Sequence, residues 1–183
     1  MTIKILLLIF VFLMILWFII FAIILILWPI VTGFKKAPYV PSFDYHLRIM
    51  KKHLILKKWS TIVDLGCGDG KALRFFNKDF WLLGTWYDLN PFVIWYGMFS
   101  NRLLWYKHIT IIRSNFKKAQ LHRYDYVYIY LWPSQLVAIE DWMFETLWTH
   151  SIIISNSFTF VKHTPFEVIH DAHNKKVIYL YKK

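Results

Sequence analysis

Residues 61–70 read Thr-Ile-Val-Asp-Leu-Gly-Cys-Gly-Asp-Gly, a short apolar stretch that runs straight into a glycine-rich turn. Residues 71–78, which follow the turn, have the apolar spacing of a helix. A strand, a glycine turn and a helix in succession are typical of an open α/β sheet, where ligands bind beside such turns. Glycines let the backbone turn sharply and let a ligand approach it closely. This stretch therefore predicts a nucleotide-cofactor site.

The segments on either side continue the alternation of strands and helices. We predict strands at residues 61–65, 81–89, 109–113, 124–131, 151–155 and 177–181. We predict helices from an N-cap at Ser42 to about Lys57, over residues 71–78 and 92–104 with Pro91 at the start, and from an N-cap at Ser134 to about Trp148. Such alternation indicates a parallel sheet with helices on both faces. Residues 155–183 hold strand signals without a helix, which favours an antiparallel hairpin.

Carboxylates in the turn indicate which cofactor fits. Asp64 lies two residues before the first glycine, and Asp69 lies inside the turn. The spacing G-x-G-x-G differs from the dinucleotide fingerprint, and two carboxylates would repel the pyrophosphate of a dinucleotide. A P-loop is excluded because no Gly-Lys-Ser/Thr occurs. The acids suit a cofactor with a positive end and no phosphate, such as S-adenosylmethionine. Asp88 lies at the end of the second strand, where a carboxylate can bind both ribose hydroxyls.

The N-terminal segment is apolar enough to cross a membrane. Residues 5–31 carry no charged side chain. This run of 27 residues is longer than the about 20 residues that a bilayer requires and longer than the apolar core of a signal peptide, which has about 7–15 residues. Lys4 precedes this run, whereas seven cations and one acid follow it up to residue 58. The positive-inside rule puts the C-terminal part in the cytoplasm, or in the matrix of a mitochondrion. The same cations can contact anionic lipid headgroups.

Composition bounds the remaining possibilities. The chain has 183 residues, is 57% apolar and carries a formal charge of +11, which fits one domain with an anchor and excludes disorder. We predict an anchor at residues 1–33, a basic linker and pre-domain helix at 34–58, and the cofactor-binding domain at 59–183. A single cysteine excludes an internal disulfide, and no nucleic-acid-binding motif occurs. His163, His170 and His173 lack the spacing of metal ligands and are expected in a solvated loop.

The motifs resemble a known family. The turn at residues 64–70 resembles motif I of the Rossmann-like S-adenosylmethionine-dependent methyltransferases. A closer similarity, to the membrane-anchored protein-lysine methyltransferases, covers most of the chain past the apolar run. It is carried by residues 37–42 (Ala-Pro-Tyr-Val-Pro-Ser), 63–70, 88–91 with Trp95-Tyr96, Tyr124-Asp125 and 155–165. In mitochondria that family modifies the ATP synthase c-subunit and the adenine nucleotide translocase.

The resemblance implies roles for individual residues. Backbone groups of the glycine turn would contact the methionine part, and Asp64 would hold its amino end. Asp88 would bind ribose and Leu89 would pack on adenine. Asn115 and Phe116 would contact the adenine amino group, with Asn where the family usually has Asp. The predicted cofactor set is Asp64, Gly66, Cys67, Gly68, Asp69, Gly70, Asp88, Leu89, Asn90, Asn115, Phe116, Tyr130 and Leu131.

The acceptor is expected at the ends of the fourth and fifth strands. Methyl transfer depends on positioning more than on acid or base catalysis. An apolar, aromatic slot would lower the pKa of an acceptor lysine by desolvation. The candidates for this slot are Tyr39, Trp132, Pro133, Asn156 and Phe158, and no residue is assigned as a catalytic base.

The sequence leaves three functions open. The first is methylation of a lysine on a membrane protein near the bilayer surface. The second keeps the enzyme but changes the acceptor to a lipid or quinone headgroup. The third is a scaffold that binds S-adenosylmethionine without turnover. The resemblance favours the first of these functions.

Overall fold

The computed structural model describes residues 2–32, 42–66 and 68–183. The chain divides into two compact units at about residue 38. The first contains helix α1 (Thr2–Thr32), whose segment Ile3–Leu27 has a mean hydropathy of 3.4 and no buried residue. By length and composition this helix could cross a membrane, although a signal sequence has the same properties. The predicted apolar N-terminal helix is therefore present.

The second unit is built on a seven-stranded sheet in the order β3-β2-β1-β4-β5-β7-β6. Its first five strands are parallel, and β7 is antiparallel to both β5 and β6. The strands are β1 (Thr61–Leu65), β2 (Leu83–Asp88), β3 (Ile109–Arg113), β4 (Tyr126–Ile129), β5 (Ile152–Asn156), β6 (Glu167–His170) and β7 (Lys176–Lys182). Because β1 is the middle one of the five parallel strands, the turn that follows it is flanked by the ends of β2 and β4.

Helices cover both faces of the sheet, which confirms the predicted Rossmann-like architecture. The helices are α2 (Asp44–His53), α3 (Lys71–Phe80), α4 (Pro91–Leu103) and α5 (Pro133–Thr146). α5 buries Leu136, Ile139 and Met143 in one core with apolar residues of β1, β4 and β5. α2 and α3 belong to a second core on other residues of the same strands. The packing of α2 on this core joins part of the predicted linker region to the domain, and the predicted boundaries at residues 33 and 58 stay predictions.

Several predicted bounds differ from the structure for local reasons. β1 and β3 have the predicted bounds, and the C-terminal hairpin is confirmed as β6 and β7, although no strand was predicted at β6. β2 begins at Leu83 rather than at residue 81, because α3 continues to Phe80 and Trp81 ends it in a left-handed conformation (φ 60°). α2 ends at His53 rather than near Lys57, because Leu54 is extended.

Both predicted serine N-caps were wrong. Phe43 occupies the N-cap of α2, and the Ser42 hydroxyl lies 3.2 Å from the Tyr128 hydroxyl instead. α5 begins two residues earlier than expected, at Pro133, with Trp132 rather than Ser134 as N-cap. The Gln135 side-chain oxygen accepts a hydrogen bond from the Trp132 N–H at 3.2 Å. A proline at the first helical position and a glutamine at the third thus replace the serine cap.

The indole ring of Trp86 fixes how closely α3 and α4 approach the sheet. Trp86 lies in β2 and is fully buried. A Cβ atom added to Gly70, at the start of α3, or to Gly97, in α4, would overlap its six-membered ring. Gly70 also has a φ of +75°, which side chains rarely adopt. Both glycines therefore make room for this ring.

We predict that Gly97→Ala destabilises the protein by about 1–3 kcal/mol, since overpacking outweighs the gain in helix propensity. The measurement is chemical denaturation of the full chain. Met98→Ala, an exposed neighbour on α4, is the control and should change stability by less than about 0.5 kcal/mol. In a Trp86→Phe background the cost of Gly97→Ala should shrink. If Gly97→Ala destabilised the Trp86→Phe protein as much as the unmodified protein, the contact between Gly97 and the Trp86 ring would be contradicted.

Candidate cofactor and acceptor site

The glycine turn holds a buried carboxylate at the centre of the sheet. Asp64 lies in β1, is 2% exposed, and its Oδ2 atom has no hydrogen-bond partner among the described residues. Burial, followed by the charges of Asp88 and Asp69, raises the pKa of Asp64 well above its usual range. The charges of Asp88 and Asp69 therefore act on the Asp64 carboxylate. A buried, unpartnered carboxylate oxygen favours a cationic ligand there.

The turn itself is shaped by left-handed glycines and by Asp69. Gly66, Gly68 and Gly70 have φ values of 82°, 58° and 75°. The Asp69 side chain accepts a hydrogen bond from the Lys71 N–H at 3.1 Å. Its backbone oxygen accepts from the Arg74 guanidinium at 2.8 Å, and the same guanidinium lies 3.9 Å from the Asp69 carboxylate. Asp69 thus shapes the start of α3, whereas the Oδ2 atom of Asp64 has no partner among the described residues.

The end of β2 presents the second predicted acid. Asp88 is half-buried, and its Oδ1 atom accepts a hydrogen bond from the Asn90 N–H at 2.8 Å. Asn90 in turn caps α4, because its side-chain oxygen accepts from the Phe92 N–H. Leu89 between them is 44% exposed. This loop therefore offers one oriented carboxylate and one accessible apolar side chain beside the glycine turn.

The end of β3 lies next to the Asp88 loop. The Ser114 N–H donates to the Asp88 backbone oxygen at 3.1 Å, so Asn115 follows directly alongside. The Asn115 side-chain oxygen accepts from the Lys117 N–H and caps a short 3₁₀ turn. Phe116 packs on Trp142, with ring centroids 6.3 Å apart. Both residues therefore have structural roles at this edge, beside any contact with a ligand.

The predicted acceptor residues gather at the ends of β4 and β5. Phe158 stacks on Tyr130 at 6.4 Å between ring centroids and on Trp132 at 6.1 Å. Leu131 borders the glycine turn, since a Cβ atom on Gly66 would lie 3.3 Å from its Cδ2 atom. Pro133 begins α5 directly after this stack. Tyr39 and Cys67, which we also predicted as site residues, lie outside the described part of the chain.

A polar network that the sequence did not predict joins this region to α2. The buried Asn156 donates to the Tyr128 hydroxyl at 3.0 Å, and its oxygen accepts from the His46 Nδ1–H at 2.8 Å. Burial, and after it the charge of Asp64, raises the pKa of Tyr128. Burial also lowers the pKa of His46, which favours its neutral form. In the structure Tyr128 aligns with Asp64 on the neighbouring strand. The alternation of tyrosines along β4 is the sequence signal that could have indicated it.

The expectation of a solvated loop was wrong for His163. Its Nδ1 atom lies 2.9 Å from the buried carboxylate of Glu140, and its ring stacks on Phe144. The N–H groups of residues 161–163 also donate to Glu140. Burial alone would raise the pKa of Glu140, but these hydrogen bonds lower it. His163 therefore anchors the segment that leads from β5 to the hairpin.

We predict that Asp64→Asn raises the melting temperature at neutral pH. The folded-state pKa of Asp64 lies above its unfolded value of about 3.9, so the folded protein loses stability as pH rises through that interval. The gain in melting temperature from Asp64→Asn should be absent near pH 4 and should be constant above the raised pKa of Asp64. We expect the melting temperature to rise by about 2–4 °C for each kcal/mol gained in the free energy of unfolding.

The measurement is thermal unfolding of the ligand-free full chain at a series of pH values. Asp69→Asn is the matched control, because Asp69 already has hydrogen-bond partners and should not gain stability. A lower melting temperature for Asp64→Asn at neutral pH would show that the carboxylate is satisfied within the fold.

Comparison with known proteins identifies the family. The family model described as "ANTKMT methyltransferase domain" matches residues 64–167. A relative from Xenopus laevis, a lysine N-methyltransferase of the ATP synthase c-subunit, is 27% identical over 133 residues, which cover 70% of this chain. The match spans 56% of that relative's length.

Solved structures share the fold. An RNA methyltransferase from Salinibacter ruber with S-adenosyl-L-homocysteine has a TM-score of 0.71 at 17% identity, covering 78% of this chain and 93% of that one. A methyltransferase from Thiobacillus denitrificans, dependent on S-adenosylmethionine, has a TM-score of 0.56 at 17% identity, covering 73% and 55%. The family model covers more than half of the chain. The motif-I turn and the acids Asp64 and Asp88 are consistent with the same family. The chain belongs to the family of ANTKMT methyltransferase domains.

Proposed function

We propose that this protein is an S-adenosylmethionine-dependent protein-lysine N-methyltransferase. The observation that carries the proposal is the buried Oδ2 atom of Asp64, which has no partner among the described residues at the end of the central strand. S-adenosylmethionine has an ammonium group that such an atom can accept from. A charge-assisted hydrogen bond of this kind is about twice as strong as a neutral one. Membership in a methyltransferase family supports the same cofactor.

The other cofactor contacts follow from the strand ends. Asp88 would bind the ribose hydroxyls, because its hydrogen bond from the Asn90 N–H orients the carboxylate. The exposed Leu89 would pack on adenine, and Asn115 with Phe116 would border its amino group. The positive φ angles of the glycine turn leave its N–H and C=O groups close to the ligand. Asp69, Gly70, Asn90, Tyr130 and Leu131 would shape the pocket around these contacts.

Lysine is the acceptor that the aromatic stack suits. The bound cofactor supplies a methyl group on a sulfonium, and the acceptor must present a neutral amine. Neutralising a lysine of pKa about 10.4 at pH 7 costs about 4.6 kcal/mol. Tyr130, Phe158 and Trp132 form a stacked wall that would desolvate the amine and lower its pKa. Aromatic faces also attract a partly methylated ammonium.

We further propose that the substrate is a membrane protein and that the domain faces the cytoplasm, or the matrix of a mitochondrion. The support is the apolar helix at Ile3–Leu27, together with the cations that follow it. Confinement to one membrane would raise the effective concentration of enzyme and substrate without further contacts. In this proposal residues 1–33 anchor the enzyme, and the linker cations rest near anionic headgroups.

The test is transfer of labelled methyl groups from S-adenosylmethionine to membranes of a strain that lacks the protein. Protein and lipid are separated from the same sample. We expect label on one protein band, in lysine after hydrolysis, with a loss of more than about 100-fold for Asp88→Ala, since a buried ligand hydrogen bond to a charged group is removed. Asp141→Ala removes an exposed carboxylate paired with Lys162 and is the matched control.

A second variant separates the acceptor side from the cofactor side. Phe158→Leu should lower transfer to the protein while leaving the dissociation constant of S-adenosylhomocysteine unchanged by calorimetry. Label in the lipid fraction would instead favour a lipid or quinone methyltransferase. Cofactor binding without label in any fraction would favour a scaffold, and either result would overturn the lysine proposal.

A further inference from the structure

The outer face of α4 is more apolar than its inner face, the reverse of an ordinary surface helix. The side that packs on the domain contains Ile94, Gly97, Ser100 and Asn101, which are all buried. The outer side, which we name the α4 aromatic face, carries Phe92, Trp95, Tyr96, Met98, Phe99 and Leu103. Each of these side chains is about half exposed or more, and Trp95 is 70% exposed.

The α4 aromatic face is a continuous surface. Trp95 stacks on Phe99, with ring centroids 6.1 Å apart and both rings open to solvent. Trp105, just past the helix, is 80% exposed and adds to the same end. With about 150–250 Å² for each aromatic side chain, the half-exposed rings present on the order of 400 Å² of apolar surface. Patches of this size mark interaction sites.

The charge around this face indicates what covers it. Residues 89–110, which include α4 and the segment after it, contain no Asp or Glu, and two cations, Arg102 and Lys107, lie at the C-terminal end of the helix. A symmetric pair of copies would bring the same cations together, because an isologous interface uses one patch twice. An anionic lipid surface complements them at about 1 kcal/mol per charge. Tryptophan and tyrosine are also the residues that concentrate at headgroup depth.

A groove at the C-terminal end of α4 adjoins the α4 aromatic face and shares Phe99 and Leu103 with it. Its volume is about 690 Å³, and its lining includes Asn101, Arg102, Trp105 and Lys107. The Asn101 side chain is 7% exposed, and neither its oxygen nor its nitrogen has a hydrogen-bond partner among the described residues. A buried amide without a partner is costly unless a ligand satisfies it. The arginine and lysine side chains at this end of the helix suit a phosphate group.

We propose that the α4 aromatic face docks on an anionic lipid bilayer, with a lipid phosphate held in the groove by Arg102 and Lys107. The docked helix would lie in the interface, with its rings at the boundary between headgroups and acyl chains. Because α4 begins directly after the Asp88 loop, docking would hold the edge of the predicted cofactor pocket close to the bilayer. The proposal concerns lipid binding and does not rest on the methyl-transfer reaction.

The experiment is photocrosslinking of the full chain in lipid nanodiscs. Benzoylphenylalanine replaces Trp95 in one variant and Val137 in another, and the discs contain phosphatidylcholine with or without phosphatidylglycerol. Val137 is 56% exposed on α5, which packs on the opposite face of the sheet, so it is the matched control. We expect lipid adducts at position 95 in several-fold excess over position 137 in discs with phosphatidylglycerol.

Charge removal completes the test. Adding Arg102→Gln and Lys107→Gln to the position-95 variant should lower its lipid adducts several-fold in anionic discs. Thermal unfolding of each variant checks that the domain is folded. Equal lipid yields at positions 95 and 137, or crosslinks from position 95 mainly to a second protein chain, would overturn the proposal. Unchanged yields after charge removal would overturn the phosphate site.

Discussion

A carboxylate buried at the centre of a sheet is the constraint on which the rest of this site depends. Asp64 lies near the end of β1 between β2 and β4, where solvent does not reach it, and one of its oxygens has no partner among the described residues. The charges of Asp88 and Asp69 add to the effect of burial and raise the pKa of Asp64 further. The folded protein therefore contains an unfavourable electrostatic arrangement around Asp64, which is common where a protein is preorganised for a ligand. The buried Trp86 ring lies against Gly70, the last glycine of the turn, and against Gly97 in α4.

The acceptor side is organised by contacts of a different kind. Phe158 joins the ends of β4 and β5 through two stacked rings, which need no charge to hold their geometry. Behind them, Asn156 links Tyr128 to His46, so α2 is connected to the strands that carry the stack. Ion pairs of Asp44 with Lys71 and of Lys51 with Asp79 join α2 to α3. The charged side of the site and the aromatic side thus both lie on the sheet to which α2 and α3 are joined.

The sequence predicted the features that depend on neighbouring residues. β1, β3 and the glycine turn followed from apolar runs and glycine spacing, and the sheet followed from their alternation. It did not predict features that depend on distant contacts. Ser42 pairs with Tyr128 rather than capping α2, and His163 binds Glu140 rather than solvent. The cap of α5 depended on Gln135, which outcompeted the adjacent serine. The inverted polarity of α4 becomes visible only when its inner face is known.

The central claim is that Asp64 and Asp88 bind the two polar ends of S-adenosylmethionine. The most direct measurement is an experimental structure of the full chain with S-adenosylhomocysteine. The account predicts the ligand ammonium within hydrogen-bond distance of Asp64 Oδ2, directly or through one water, and the ribose hydroxyls on the Asp88 carboxylate. A ligand bound elsewhere, or an Asp64 oxygen still without a partner in the complex, would contradict it.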